Sequence, residues 1–206
     1  MTWLKICGLT REEDALSAAD HGANFLGFIF VPSTPRFIEP ERAAEIARRV
    51  KENRENPPKI VGVFRDSSPE YVKEIAALVG LDVAQLHGNE TDEDIRAIGM
   101  PVIKTFRIGE TLPDTTAHPT AAWLLFDTFD ERRAGGTGRR FDWSLLALYS
   151  RSKPFFLSGG IGVDSVAAAI SMVRPDGIDV SSSIESEPGV KDHDKMGQLF
   201  ERINRG

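Results

Sequence analysis

F-F-L-S-G-G-I-G at residues 155–162, a helical segment, and G-I-D-V-S-S-S-I-E-S-E at residues 177–187 read together as strand, glycine turn, helix, strand and serine turn. That is one β-α-β unit. Both turns follow the carboxyl end of a strand and offer small residues and free backbone N–H groups, the setting that suits a phosphate dianion. Gly159 and Gly160 let the main chain come close to an oxyanion, and Ser181, Ser182 and Ser183 add hydroxyl donors. Two adjacent strand-end loops converging on phosphate is what a (β/α)8 barrel builds after its last two strands. Either turn alone reads equally as a plain turn or a helix cap; the pair, one βα unit apart, points to phosphate.

Working outward, the same alternation fills the chain. Apolar runs at 4–7, 24–31, 59–65, 83–87, 101–108 and 122–127 precede the strands at 155–157 and 177–180. Helical signals separate them. Thr10 with Glu13 fits a capping box, Pro40 stands where a first helical residue belongs, and Ser68-Pro69 and Thr91 open two more helices. Ala43, Ile46, Ala47 and Val50 repeat with helical spacing, as do Val166, Ala169, Ile170 and Val173, and then Met196, Leu199, Phe200 and Ile203. A short helix is expected over 142–149. Only the segment after the fifth strand, with two prolines and no apolar period, predicts no regular helix. Eight units filling the length imply an α/β fold, a single (β/α)8 TIM barrel with a degenerate fifth helix, as one domain over 1–206. No dinucleotide fingerprint follows the first strand, which weighs against an open doubly wound sheet.

The 206 residues carry a net charge of -6 with both signs interspersed, which argues against nucleic-acid or anionic-membrane partners. One cysteine allows neither an internal disulfide nor a cysteine metal cage, and no carboxylate or histidine cluster has metal-ligand spacing. No apolar stretch approaches a membrane span and no signal-like run opens the chain, so a cytoplasmic protein is expected.

In such a barrel the chemistry belongs at the carboxyl ends of the strands. Cys7 ends the first strand, His87 the fourth and Asp127 the sixth; Asp179 lies within the eighth beside the serine turn, and Arg36 follows the second. A lone cysteine is usually a small buried hydrophobe, but a thiol at an anion-binding mouth can be a base or nucleophile. Asp127 closes an apolar strand and is a candidate raised-pKa acid; a helix cap, or a salt bridge to Arg132 or Arg133, is its structural alternative. Gln85 and His87 share one strand face and read equally as interior hydrogen-bonding groups. Arg36, between prolines, suits a forked grip on a carboxylate or a surface pair with Glu39. Asp179 alternatively orders the serine turn. A thiol and a carboxyl across one mouth, without metal or redox cofactor, suit isomerisation by proton transfer on a phosphorylated small molecule.

Seven stretches in order resemble the phosphoribosylanthranilate isomerase family: K-I-C-G-L-T at 5–10, G-F-I-F-V-P-S-T-P-R-F-I at 27–38, Q-L-H-G at 85–88, L-F-D-T at 125–128, G-G-T-G-R-R-F-D-W at 135–143, L-S-G-G-I at 157–161, and D-V-S-S-S-I-E with E-P-G-V-K-D over 179–192. The resemblance implies an Amadori rearrangement of N-(5-phosphoribosyl)anthranilate in tryptophan biosynthesis, with no metal or organic cofactor; a monomer or homodimer is expected. It implies Asp127 as general acid and Cys7 as general base, with Arg36 on the anthranilate carboxylate. Gly159, Gly160, Ser181 and Ser182 would bind phosphate, and His87 and Asp179 would support. The loop holding Gly135 and Gly138 is expected to close over substrate. The family carries glycine where this chain has Ser183, so a need for positive φ there would tilt the turn or weaken phosphate binding. The alternatives are a sister barrel acting on a phosphoribosyl imidazole carboxamide, for which the first strand would end in aspartate, and a non-catalytic sugar-phosphate binder, which needs neither Cys7 nor Asp127.

Overall fold

Eight parallel strands close on themselves, each hydrogen-bonded to the next in sequence and the eighth back to the first. They are β1 (Trp3–Cys7), β2 (Phe25–Ile29), β3 (Lys59–Phe64), β4 (Val83–Leu86), β5 (Val102–Ile108), β6 (Trp123–Thr128), β7 (Phe155–Leu157) and β8 (Gly177–Val180). This computed structural model describes residues 2–52, 54–128 and 142–204. The segment 129–141, with Arg132, Arg133 and the glycines at 135 and 138, lies outside the described residues. Around the barrel stand α1 (Glu12–Asp20), α2 (Pro40–Lys51), α3 (Pro69–Val79), α4 (Asp92–Ile98), α5 (Val166–Val173) and α6 (His193–Asn204). Between β5 and β6 the described residues form turns and no helix, as the prolines there predict. The helix expected over 142–149 is a 3₁₀ segment, Trp143–Leu148.

The local signals mostly hold. Ser68 Oγ accepts from the Tyr71 amide, and Thr91 with Asp94 forms a full capping box. The Thr10–Glu13 box does not form: Arg11 precedes α1 without a side-chain cap. Thr10 Oγ1 instead donates to the Gly189 carbonyl at 2.6 Å. Gly189 turns a small hairpin, β9 (Glu185–Glu187) and β10 (Val190–Lys191), that the sequence reading did not contain. The Lys191 amide donates to buried Asp14 of α1. A contact across 179 residues of sequence has overridden a local cap.

Alternation sorts the strand residues. Leu4, Ile6, Leu26 and Phe28 face the helices, while Phe25, Val61, Val83, Ile103, Leu125 and Phe156 fill the barrel floor. Phe25 and Phe156 meet edge to face, ring centres 5.2 Å apart, with Trp3 and Trp123 beside them. Following the two-residue period toward the carboxyl ends, that floor gives way to polar groups: Lys5 then Cys7, Gln85 then His87, Thr105 then Arg107, and next Asp127, Ser158 and Asp179. Chemistry is thus confined to one end of the barrel.

One buried ion pair fastens the loop that carries His87. Lys104 Nζ, 3 % exposed, reaches Glu90 Oε2 at 2.7 Å and the Gly88 carbonyl at 2.8 Å. Glu90 also accepts the amides of Asp66 and Gly88. Lys104→Met strands that carboxylate without its cation, and the expected loss in denaturant unfolding is about 3 kcal/mol. Lys104→Met/Glu90→Gln, which leaves no buried charge, is expected to recover part of it.

Candidate active site

The mouth is built from the ends of β1, β2, β4, β6, β7 and β8. Gly8, at φ +72°, turns the chain sharply after Cys7. A side chain there would come within 2.7 Å of Arg36 Cδ and 3.0 Å of Ser181 Oγ, so its absence lets the loops after β2 and β8 close over β1. Cys7 itself is 6 % exposed, with Sγ directed into the barrel against Gly27. Burial pushes the thiol above its ordinary pKa; the Lys5 ammonium acts against that, and the Asp179 carboxylate adds to it.

Asp127 faces into the mouth from the end of β6, its side chain 14 % exposed. Burial raises its carboxyl to about 6, against the Thr128 amide that donates to Oδ1 at 2.8 Å, while nearby Asp179 adds to the rise. A carboxyl that titrates at about 6 holds its proton closer to neutrality than an ordinary aspartate does. His87 Nε2 lies 3.6 Å from Asp127 Oδ2, close but longer than a hydrogen bond. Burial, with Arg107 and other cations nearby, lowers His87 to about 3, so its ring is neutral.

The turns after β7 and β8, expected to bind an anion, lie side by side at the mouth. Gly159 and Gly160 both have positive φ, at 86° and 69°. A β-carbon on Gly159 would come within 2.2 Å of Thr128 Oγ1 and 3.0 Å of Asp127 Oδ1. Only glycine lets this turn lie so close to the carboxyl. Ser181 Oγ and Thr128 Oγ1, both buried, have no hydrogen-bond partner among the described residues. Hydroxyls left in that state are donors waiting for an acceptor. Ser182 begins a 3₁₀ turn. Ser183 does not adopt positive φ, so its backbone carries no strain of that kind; its hydroxyl donates to the Ile161 carbonyl at 2.5 Å and ties the two turns together.

Arg36 is paired not with Glu39 but with Glu185: Nε reaches Oε1 at 2.9 Å, and Nη2 reaches Oε2 at 2.6 Å. Lys191 Nζ meets the same carboxylate at 2.8 Å and also the carbonyls of Cys7 and Ser181. Glu185 and Lys191 thereby clasp the tops of β1 and β8. Neither was singled out from the sequence, because both sit in a hairpin with no periodic signal. Asp179 accepts from Lys5 at 2.8 Å and from Ser158 Oγ at 3.3 Å, engaging both its oxygens inside the barrel. Arg107, also missed, stands in register with Asp127 and lines a cavity of about 510 Å³ with His87, Arg65 and Phe106. Extending the two-residue period from Ile103 would have found it. Among the described residues no group of three or more His, Cys, Asp or Glu could hold a metal ion. No helix among them is long and apolar enough to cross a membrane.

Comparison with known proteins agrees with this geometry. The family model described as N-(5'phosphoribosyl)anthranilate (PRA) isomerase matches residues 4–202. An N-(5'-phosphoribosyl)anthranilate isomerase of Desulforudis audaxviator is 44% identical over 203 residues, covering 95% of each chain. The crystal structure of a phosphoribosyl anthranilate isomerase from Thermus thermophilus superimposes with a TM-score of 0.89 at 36% identity, covering 99% of both chains. A phosphoribosyl anthranilate isomerase in complex with reduced 1-(o-carboxyphenylamino)-1-deoxyribulose 5-phosphate superimposes at 0.86, also 36% identical, over 100% of both.

Proposed function

Because the chain belongs to the N-(5'-phosphoribosyl)anthranilate isomerase family, the isomerase of tryptophan biosynthesis, we propose that Asp127 and Cys7 are the acid and base of its Amadori rearrangement. Asp127 gives its proton to the furanose ring oxygen; the C1–O bond breaks as the anthranilate nitrogen's lone pair forms the Schiff base, conjugated with the aryl ring. The Cys7 thiolate takes the C2 proton, and the resulting enolamine tautomerises to the 1-deoxyribulose ketone. One proton is delivered at oxygen and one removed from carbon, so no electron acceptor is needed.

The observation that carries this reading is Asp127: a carboxyl raised to about 6 whose neighbours are the Gly159 turn and the neutral His87. Gly159, Gly160, Ser181 and Ser182 hold the phosphate, with Thr128 Oγ1 added from the geometry. Arg36 grips the anthranilate carboxylate. Its Nη1 makes no hydrogen bond to the described residues, so Glu185 orients the guanidinium while one edge stays available. Anchors at the two ends fix the ribose between acid and base and remove much of the orientational entropy from the barrier. His87 and Asp179 support, His87 as a neutral neighbour of the acid and Asp179 through Lys5. We read 1–206 as one domain.

Adding the purified protein to freshly made N-(5-phosphoribosyl)anthranilate is expected to quench the anthranilate-type fluorescence rapidly; a folded protein that leaves it unchanged would overturn the reading. Arg36→Met is expected to raise KM about tenfold while changing kcat less, the pattern of a lost ground-state contact. Steady-state kinetics of Arg36→Met checks it. A fall in kcat alone would remove Arg36 from carboxylate binding.

A further inference from the structure

The barrel interior holds a fully buried cation that the acid–base pair does not use. Lys5 is 0 % exposed, two residues before Cys7 on the same face of β1. Its ammonium is held at 2.8 Å by Asp179 Oδ1, from the neighbouring strand in direct register with it. Ser158 Oγ fixes the other carboxylate oxygen. On the opposite side of β1, Gly27 of β2 is paired with Cys7. A β-carbon on Gly27 would lie 2.9 Å from Cys7 Sγ and 3.1 Å from Lys5 Nζ. The missing side chain therefore leaves open a space that both the thiol and the ammonium border. A β-carbon there would press on both and require them to shift.

We infer that Lys5 is the positioning residue of the general base: its ammonium, steadied by Asp179 from below, supplies the positive charge beside which Cys7 Sγ ionises to the reactive thiolate. This rests on Cys7 being the base. Of the cations around the thiol, Lys5 acts on it most strongly and Lys191 less. Lys191 directs its ammonium to the Cys7 carbonyl and to Glu185. Arg36, above Gly8, shares that same Glu185 carboxylate. Asp179 and Asp127 both oppose a second anion. Gly27 brings no charge from β2. Lys5 is also well placed to remain charged, since Asp179 and the thiol together outweigh the burial that acts against its ammonium. A thiolate in a dry barrel without that neighbour would be an unpaired buried charge.

The chain has one cysteine, so its thiolate absorbance in the ultraviolet can be titrated directly, with Cys7→Ser as the blank. In Lys5→Met the thiolate midpoint is expected to rise by about one pH unit or more. At neutral pH kcat is then expected to fall about tenfold or more with little change in KM. Lys5→Met/Asp179→Asn, which leaves neither charge buried alone, is the second variant should the first not fold, and its midpoint is also expected above the native one. A folded variant of either kind with the native midpoint overturns the inference. Native activity in Cys7→Ser would overturn the role of Cys7 instead, and the titration would still report whether Lys5 governs the thiol.

Discussion

Asp127→Asn is expected to lower kcat/KM by about three orders of magnitude and, at the same time, to make the protein more stable at neutral pH. Both follow from one environment. The carboxyl sits at the end of an apolar strand, 14 % exposed, with burial holding its pKa at about 6. In the unfolded chain it returns to the ordinary value of 3.8. The folded state therefore binds this proton more tightly than the unfolded state does. Its contribution to stability is fully present below the unfolded value and is lost as pH rises through about 6. Asparagine keeps the shape and the contact with the Thr128 amide but never ionises. Above pH 6 the variant escapes a penalty on the order of 2 kcal/mol. Thermal melts at pH 5 and pH 8 check this: the gain of the variant over the native protein should be larger at pH 8. A variant that is inactive and equally destabilised at both would mean that Asp127 holds the barrel together, and its kinetic loss would say nothing about proton delivery.

How much of this was legible in the residues depended on the range of the interaction. The strands were legible because their outer faces are packed against helices and their inner faces against one another, which gives continuous apolar runs. Cys7, His87 and Asp127 were legible because a polar residue closing such a run stands at the barrel mouth. The glycine and serine turns were legible because small residues directly after two strands one βα unit apart place them together at the mouth. Lys5 was not. A lysine inside an apolar strand has no local signature of burial, and the carboxylate that makes its burial tolerable lies 174 positions away. Arg36 shows the same limit: the sequence offered Glu39 three residues on, while the fold supplies Glu185 from 149 residues away. Thr10 shows it for backbone capping, where a local box lost to the carbonyl of Gly189. Periodicity reports which face is buried; it carries no record of which charge is found there.

Cys7→Ser is expected to cost at least about three orders of magnitude in kcat/KM with the fold intact, because an alcohol in this position cannot become the base. The side chain is nearly isosteric, and the new hydroxyl faces Lys5, so stability should change little. Cys7→Ala should be as slow as Cys7→Ser, since the thiol acts by ionising and not by hydrogen bonding; a clearly faster serine variant would contradict that. The pH dependence separates the two catalytic groups further. Asp127 must hold its proton and Cys7 must lack one, yet Asp127 titrates at about 6 and the thiol above its ordinary range. Between those two values the majority form has the single proton on sulfur, and the reactive form is its minor tautomer at a constant ratio. The native profile of kcat/KM is therefore expected to rise through about pH 6, stay flat, and fall only once the thiol loses its proton. Removing either group should reverse one limb. With Asp127→Asn the residual rate depends on the base alone and climbs as the thiol ionises. With Cys7→Ser it depends on the acid alone and declines as pH passes 6. Two variants with opposite slopes would assign each limb to its residue, and a Cys7→Ser profile that still rises through 6 would take the proton-donor role away from Asp127.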